Sequence, residues 1–212
     1  MAAPKSRTKA KAADTVMTEP AAEPSVSLPV LHRLVVCAYP GTGDQIARVW
    51  ERMTGVTPKT VTVTAEKKMT DILAEIVADQ EVADEFILVP ANCVPCAPIS
   101  MEELAGPFVF VDIQSFRHYN DRLPVRFSKE LLVEELTQPE IPDDEYFMKV
   151  YYKKYLHRPI EGGFRFGNLV TPVYRANPCE NLVVEAFVRK KFVTASPAGY
   201  KAIAHLVDEY LL

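Results

Sequence analysis

Between residues 31 and 64 the sequence alternates short apolar runs with amphipathic stretches. Residues 34–38 form a continuous apolar run, which is typical of a strand that is covered on both faces of a sheet. Residues 44–54 then place apolar side chains at helical spacing, and Gly55 closes this predicted helix. Residues 60–64 alternate threonine with valine, which predicts a second strand. The folded part of the chain therefore begins as strand, helix, strand.

The same order continues to residue 89. Thr70 is positioned to cap a second helix, whose predicted buried face carries Ile72, Leu73, Ile76 and Val77. Residues 85–89 form a third apolar run, which Pro90 ends. Alternating strands and helices favour parallel strands, because each helix returns the chain to the same end of the sheet. We therefore expect an α/β fold, a three-layer α/β/α arrangement around a mostly parallel central sheet.

The second half of the chain has a less regular pattern. Residues 108–111 predict a strand, and residues 124–127 predict a short extended segment. Ser128 is positioned to cap a helix that reaches Leu136. Two glycines at 162–163 predict a turn.

The last thirty residues combine apolar segments with a clear helix start. Residues 181–189 and 192–193 are apolar and rich in β-prone residues, so we expect extended structure there. Ser196 followed by Pro197 is typical of a helix start. The expected buried stripe of this last helix is Ile203, Leu206, Val207, Tyr210 and Leu211.

Residues 1–29 differ from the rest of the chain. They contain no glycine and no aromatic residue, but many alanines and four prolines, which is typical of a disordered tail. Four basic residues precede three acidic ones, so the tail is polarised and suits weak electrostatic attachment to a larger protein assembly. Residues 30–212 are expected to form a single α/β domain.

Charge and hydropathy exclude several classes of protein. The formal net charge is −4, and residues 30–212 carry 20 basic against 25 acidic residues, so nucleic acid is not an expected partner. Apolar stretches are far shorter than the roughly 20 residues that a membrane-spanning helix needs. Neither a membrane span nor a secretory signal is predicted, and four cysteines without such a signal favour a reducing compartment such as the cytoplasm.

The loop after the first predicted strand is a candidate binding site. Gly41, Thr42, Gly43 and Asp44 lie between the end of a strand and the start of a helix, where backbone N–H groups favour anions. Ile46 stands where a dinucleotide-binding fingerprint needs its third glycine, and an acidic residue at a helix start also fits an ordinary capped turn. The loop is therefore either a structural turn or a phosphate site.

Cys93 and Cys96 form a C-x-x-C motif directly after the third predicted strand. They could be two partly buried cysteines in a tight loop, a thioredoxin-like redox pair, or half of a zinc site. Redox chemistry needs the first thiol at a helix N-terminus, which lowers its pKa. The other cysteines and the histidines show no paired ligand spacing, so no metal site is predicted.

An aromatic cluster lies on the predicted helix over residues 145–156. Its aromatic members are interleaved with lysines, and such a pattern either stacks on bases and sugars or packs into a core. The acidic body favours the core. The members are Tyr146, Phe147, Tyr151, Tyr152 and Tyr155, with Lys149, Lys153 and Lys154.

Several segments, taken in order, resemble one family. Residues 84–89 look like the strand that runs into Asn-Asp-Asp in bacterial and phage proteins related to Stealth-type sugar-phosphate transferases and GT-A-type glycosyltransferases. Residues 122–130 look like the family's His-x-Pro segment and the helix that follows it. The family's C-terminal segments have similar types of residue to those at 146–155, at 192–196 and in the last helix of this chain. The resemblance implies a GT-A-like fold over about residues 31 to 212.

The resemblance also implies a site, and this chain departs from it. In the family, the Asp pair resembles the carboxylates that hold Mg²⁺ or Mn²⁺ against a nucleotide-sugar diphosphate. Ala91 and Asn92 stand at those positions here, and Arg122 stands in place of the histidine. An arginine binds phosphate but does not shuttle a proton near neutral pH. Asn92 and Arg122 are thus candidate substrate-binding residues, while no catalytic residue is assigned.

We therefore expect a glycosyltransferase-like domain that is a pseudoenzyme. It is expected to act as a binding or structural component in a phage particle or a surface-glycan system. Its expected location is the cytoplasm or the virion. One alternative is an active transferase that uses a nucleotide-sugar with Mg²⁺ or Mn²⁺ and other carboxylates, such as Asp112, Asp121, Asp143 or Asp144. Another alternative is a thiol oxidoreductase that uses Cys93 and Cys96.

Overall fold

The structure is a computed structural model that describes residues 30–64, 66–91, 93–105, 123–137, 170–173 and 177–212. Several expectations concern residues outside these ranges. They are the tail over 1–29, the strand over 108–111, the aromatic helix over 145–156, the turn at 162–163, and the site residues Asn92 and Arg122.

Seven strands and six helices are described in these ranges. The strands are β1 (His32–Ala38), β2 (Lys59–Thr62), β3 (Val82–Val89), β4 (Cys93–Pro95), β5 (Val125–Ser128), β6 (Val170–Val173) and β7 (Phe192–Ala195). The helices are α1 (Gly43–Thr54), α2 (Met69–Ala78), α3 (Met101–Ala105), α4 (Lys129–Leu136), α5 (Glu180–Arg189) and α6 (Pro197–Leu211). In the same ranges, no helix combines the length and apolarity that crossing a bilayer requires.

Sheet A contains four strands in the order β2-β1-β3-β5. β1 pairs in parallel with β2 and with β3, whereas β5 pairs with β3 in the antiparallel direction. Successive residues of a strand point to opposite faces, and the two faces of β1 belong to two different core clusters. One face, with Leu34 and Val36, packs with α1, and the other, with Val35 and Cys37, packs with α2. The expected mixed α/β fold, with helices on both faces of a mostly parallel sheet, is confirmed.

Sheet B is a second, smaller sheet that was not predicted. It has the order β4-β7-β6, with β7 parallel to β6 and antiparallel to β4. It lies on the α1 side of sheet A, where the Trp50 ring of α1 stacks on Phe192 at 6.2 Å between ring centroids. The Trp50 indole Nε1 donates to the carbonyl of Cys93 (3.3 Å), and the backbone N–H of Cys96 donates to Lys191 O (2.9 Å).

Most predicted elements of the described ranges are confirmed, but three details were wrong. Residues 181–189 form a helix instead of extended structure, because Val183, Ala186 and Phe187 at i, i+3 and i+4 bury one helical face. Tyr210 is 49% exposed and does not belong to the buried stripe of α6. Thr70 lies inside α2, and Lys68 occupies the N-cap position.

Candidate ligand site at the carboxyl ends of β1 and β3

The carboxyl ends of β1 and β3 lie side by side in sheet A. Their register pairs Val36 with Val89, so the loops that follow both strands leave the same edge at neighbouring positions. β1 lies between β2 and β3, so the direction in which strands are added to the sheet reverses beside it. In open α/β sheets, such a reversal point is where ligands bind. The topology thus brings the loop at 39–43 next to Pro90 and Ala91.

Residues 39–42 form a tight turn that fixes the exit from β1. The backbone N–H and the hydroxyl of Thr42 both donate to Tyr39 O, at 3.0 and 2.9 Å. Gly41 has a φ of +79°, which fits the third position of a type II turn after a proline at the second position. Pro40 and Gly41 occupy the second and third positions of this turn. The turn directs the chain into α1.

Helix α1 begins at this turn with an open N-terminus. Thr42 occupies the N-cap position without a side-chain capping bond, and Asp44 lies in the first turn. A Cβ added to Gly43 would meet no atom within 4 Å, so there is free space next to the helix start. Ile46, where a fingerprint glycine would stand, is 1% exposed and serves the core. The first helical N–H groups favour an anion, while the Asp44 carboxylate opposes one.

Tyr39 joins this site to sheet B. Its hydroxyl donates to Ala195 O at 3.2 Å, which brings the carboxyl end of β7 next to that of β1. Partial burial raises the pKa of Tyr39. Sequence reasoning missed this residue, although its place directly after an apolar strand and before Pro-Gly was a usable signal. Tyr39 therefore forms a wall of the candidate site.

Helices α1 and α6 are fixed to each other next to the site. The Gln45 amide nitrogen donates to Ala204 O at 2.8 Å, and the Tyr200 hydroxyl donates to the Gln45 amide oxygen at 2.8 Å. Burial raises the pKa of Tyr200, so its hydroxyl remains a donor at ordinary pH. The α6 N-terminus is capped by Ser196, whose Oγ accepts from the N–H of Gly199 (3.1 Å). These contacts position the first turn of α1.

The loop after β3 brings no described carboxylate to the site. Pro90 O accepts the N–H of Cys93 at 3.0 Å, and Ala91 is partly buried. Asn92 and Arg122 lie outside the described residues, as do the alternative carboxylates Asp112, Asp121, Asp143 and Asp144. In the part of the chain that is described, no three His, Cys, Asp or Glu side chains come together as metal ligands.

Cys93 and Cys96 are both packed in the hydrophobic core, as apolar side chains are. Cys93 lies on β4 and is fully buried, and no helix begins there, since α3 starts at Met101. Burial raises the pKa of Cys93 well above its ordinary value and raises that of Cys96 to about 12. A redox pair needs a lowered thiol pKa and access to a partner thiol. The geometry thus favours packing over thiol chemistry.

No protein-family model matches this chain, and none of the curated proteins matches it either. The functional proposal below therefore depends on the fold, on the geometry of the site and on the resemblance described above.

Proposed function

We propose that this chain is a glycosyltransferase-like, GT-A-like domain that binds a sugar nucleotide and acts as a binding or structural component. The observation that carries the proposal is the juxtaposition of the carboxyl ends of β1 and β3 beside the open start of α1. Backbone N–H groups at a helix start favour phosphate, and free space next to Gly43 leaves room for it. The site thus suits the diphosphate of such a ligand.

The sequence at the positions that match the resembled family's site supports binding without metal-dependent transfer. A metal that neutralises a diphosphate leaving group is held by one or two carboxylates in such enzymes. The sequence after β3 reads Pro90, Ala91 and Asn92, and Arg122 replaces the histidine of the resembled family. Arginine and asparagine offer donors to a phosphate or a sugar, so these positions support binding more than catalysis.

Calorimetric titration of the full chain with UDP-glucose and GDP-mannose, with and without MnCl₂, tests the proposal. We expect binding of at least one of the two in the absence of Mn²⁺. Gly43→Glu should weaken it about tenfold or more, because it puts a carboxylate beside the phosphate-binding N–H groups. Gly43→Gln is the matched control, with nearly the same volume and no charge, and should weaken binding less than Gly43→Glu does.

Each result of the titration bears on one part of the proposal. Binding by the Gly43→Glu variant as tight as that of the unchanged protein would remove the site from the start of α1. Release of free sugar or sugar transfer that depends on Mn²⁺ would show an active transferase and contradict the binding role. Absence of binding to both ligands in either buffer would contradict the ligand class. Because glutamate and glutamine both favour a helix more than glycine does, neither substitution at the first residue of α1 should unfold the protein.

A further inference from the structure

A cavity of about 330 Å³ lies between sheet A and the short helix α3. It is independent of the site proposed above. Arg33, which lines it, is the second residue of β1, and at about 3.3 Å per residue it lies roughly 17 Å along the strand from Ala38. Failure of a ligand to bind at one place therefore does not affect the other.

The charged groups of the cavity divide into one pair and two single residues. Glu85 of β3 and Arg126 of β5 lie diagonally opposite each other across the antiparallel register, and they form an ion pair. Arg33 and Glu102 also line the cavity. Within the described ranges, their side chains have no ion pair and no hydrogen bond. The cavity thus presents one unpaired cation and one unpaired anion.

The wall that carries Glu102 is held in place by contacts of its neighbours. The N–H of Ile99 donates to Met53 O at 2.9 Å, and Leu104 is fully buried. Glu103, the next residue along α3, forms an ion pair with Lys191. These contacts anchor α3 and the residues before it, and Glu102 lines the cavity while the adjacent carboxylate forms an ion pair.

We propose that this cavity binds a free α-amino acid with an apolar side chain. A guanidinium binds a carboxylate through two parallel hydrogen bonds, so Arg33 suits the carboxylate of such a ligand. Glu102 suits its ammonium group, and Ile87, Met101 and Ala105 supply apolar surface for its side chain. The volume lies at the lower end of the range for small-molecule pockets, which fits a ligand of this size.

The test is calorimetric titration of the full chain with L-leucine. We expect binding that is lost with N-acetyl-L-leucine, which has no ammonium group, and with L-leucinamide, which has no carboxylate. Arg33→Gln and Glu102→Gln should each lower the affinity for L-leucine about tenfold or more, since each removes a charge-assisted contact. Both side chains are exposed and have no partner among the described residues, so both variants should fold, and unfolding in urea verifies this.

Two matched variants control for charge alone. Glu185→Gln removes a carboxylate of α5 that pairs with Arg189, and Arg48→Gln removes an exposed arginine of α1 that pairs with Asp208 of α6. Both should leave the affinity for L-leucine unchanged. The proposal is overturned if L-leucine fails to bind at millimolar concentration, if either analogue binds equally well, or if the Arg33 and Glu102 variants bind like the unchanged protein.

Discussion

Gly41 and Gly43 lie two residues apart in the loop after β1, yet their backbones have different requirements. Gly41 has a positive φ of +79°, a conformation that a residue with a Cβ rarely adopts. Gly43 is the first residue of α1, and it does not share that conformation. Both have free space around a Cβ, so steric contact does not distinguish them. The difference between the two positions is therefore conformational.

We predict that Gly41→Ala lowers the free energy of unfolding by about 1–2 kcal/mol, because alanine is strained at positive φ. Gly43→Ala should be neutral or stabilising by up to about 1 kcal/mol, since alanine favours the helix and restricts the unfolded chain. Urea unfolding followed by circular dichroism measures both. Equal midpoints for the two variants would contradict the turn geometry described above.

Single residues show where sequence reasoning reached its limit. The conformations of Gly41 in the loop and of Gly55 at the C-cap of α1, with φ of +79° and +69°, were predictable because few other residues adopt them. The hydrogen bond of Tyr39 was not, because its acceptor on Ala195 lies 156 residues away along the chain. The same holds for Arg33 and Glu102, which share a cavity only through the fold.

At the scale of elements, one ionic cluster joins β2, the α2–β3 loop and α4. Lys59 of β2 lies 2.5 Å from a carboxylate oxygen of Asp79 and 2.6 Å from one of Glu81. Lys129 of α4 donates to the carbonyls of Asp79 (2.6 Å) and Val82 (2.7 Å). The hydrogen bond from Lys59, followed by the one from the Glu81 N–H, lowers the pKa of Asp79.

This cluster predicts a pH dependence of stability. The pKa of Asp79 is lower in the folded than in the unfolded protein, so its contribution is present above the ordinary value of 3.8 and is lost as the pH falls. We expect Asp79→Asn to lower stability at pH 7 and to reduce the decline between neutral and acid pH. Urea midpoints between pH 7 and pH 3 measure this.

The control for that series is Asp84→Asn, which removes an exposed carboxylate of β3. Its urea midpoint should decline towards acid pH as that of the unchanged protein does. If the Asp79 and Asp84 variants gave the same profile, the bond from Lys59 would not contribute to acid stability.

Elements with a clear period were predictable, and those that depend on distant partners were not. β1 and β3 follow from continuous apolar runs, β2 from alternation, and α1 and α2 from helical spacing of their apolar residues. Many residues of α5 individually favour strands. However, Val183, Ala186 and Phe187 lie at helical spacing and pack in the core, so the segment forms a helix. β4 has only three residues and depends on its pairing with β7, so no local sequence pattern predicts it.

At the scale of the whole molecule, each sheet takes strands from both halves of the chain. Sheet A adds β5 of the second half to three strands of the first half, and sheet B pairs β4 of the first half with β7 of the second. Cys37 lies in the core cluster on the α2 side, and Cys93 lies in the cluster that contains sheet B. We therefore expect both clusters to unfold together, as a single cooperative transition.

Cysteine alkylation measures this prediction in a Cys179→Ser variant, which removes the exposed thiol. Burial raises the pKa of Cys37 to about 12, and Cys93 is fully buried, so neither should react in the native protein. With increasing urea, both should become alkylated at the same midpoint, as read by peptide mass spectrometry. Labelling of Cys93 at a lower urea concentration than Cys37 would show that sheet B unfolds separately.

The pairing of β4 with β7 has a consequence for the time course of synthesis. β4 leaves the ribosome about 100 residues before β7, a delay of about 5–20 s at 5–20 residues per second. During that interval the strand edge that β7 later covers has no partner from sheet B, and the Trp50 ring is not yet packed against Phe192. We therefore expect a nascent chain of this protein to expose an apolar strand edge for seconds before sheet B can form.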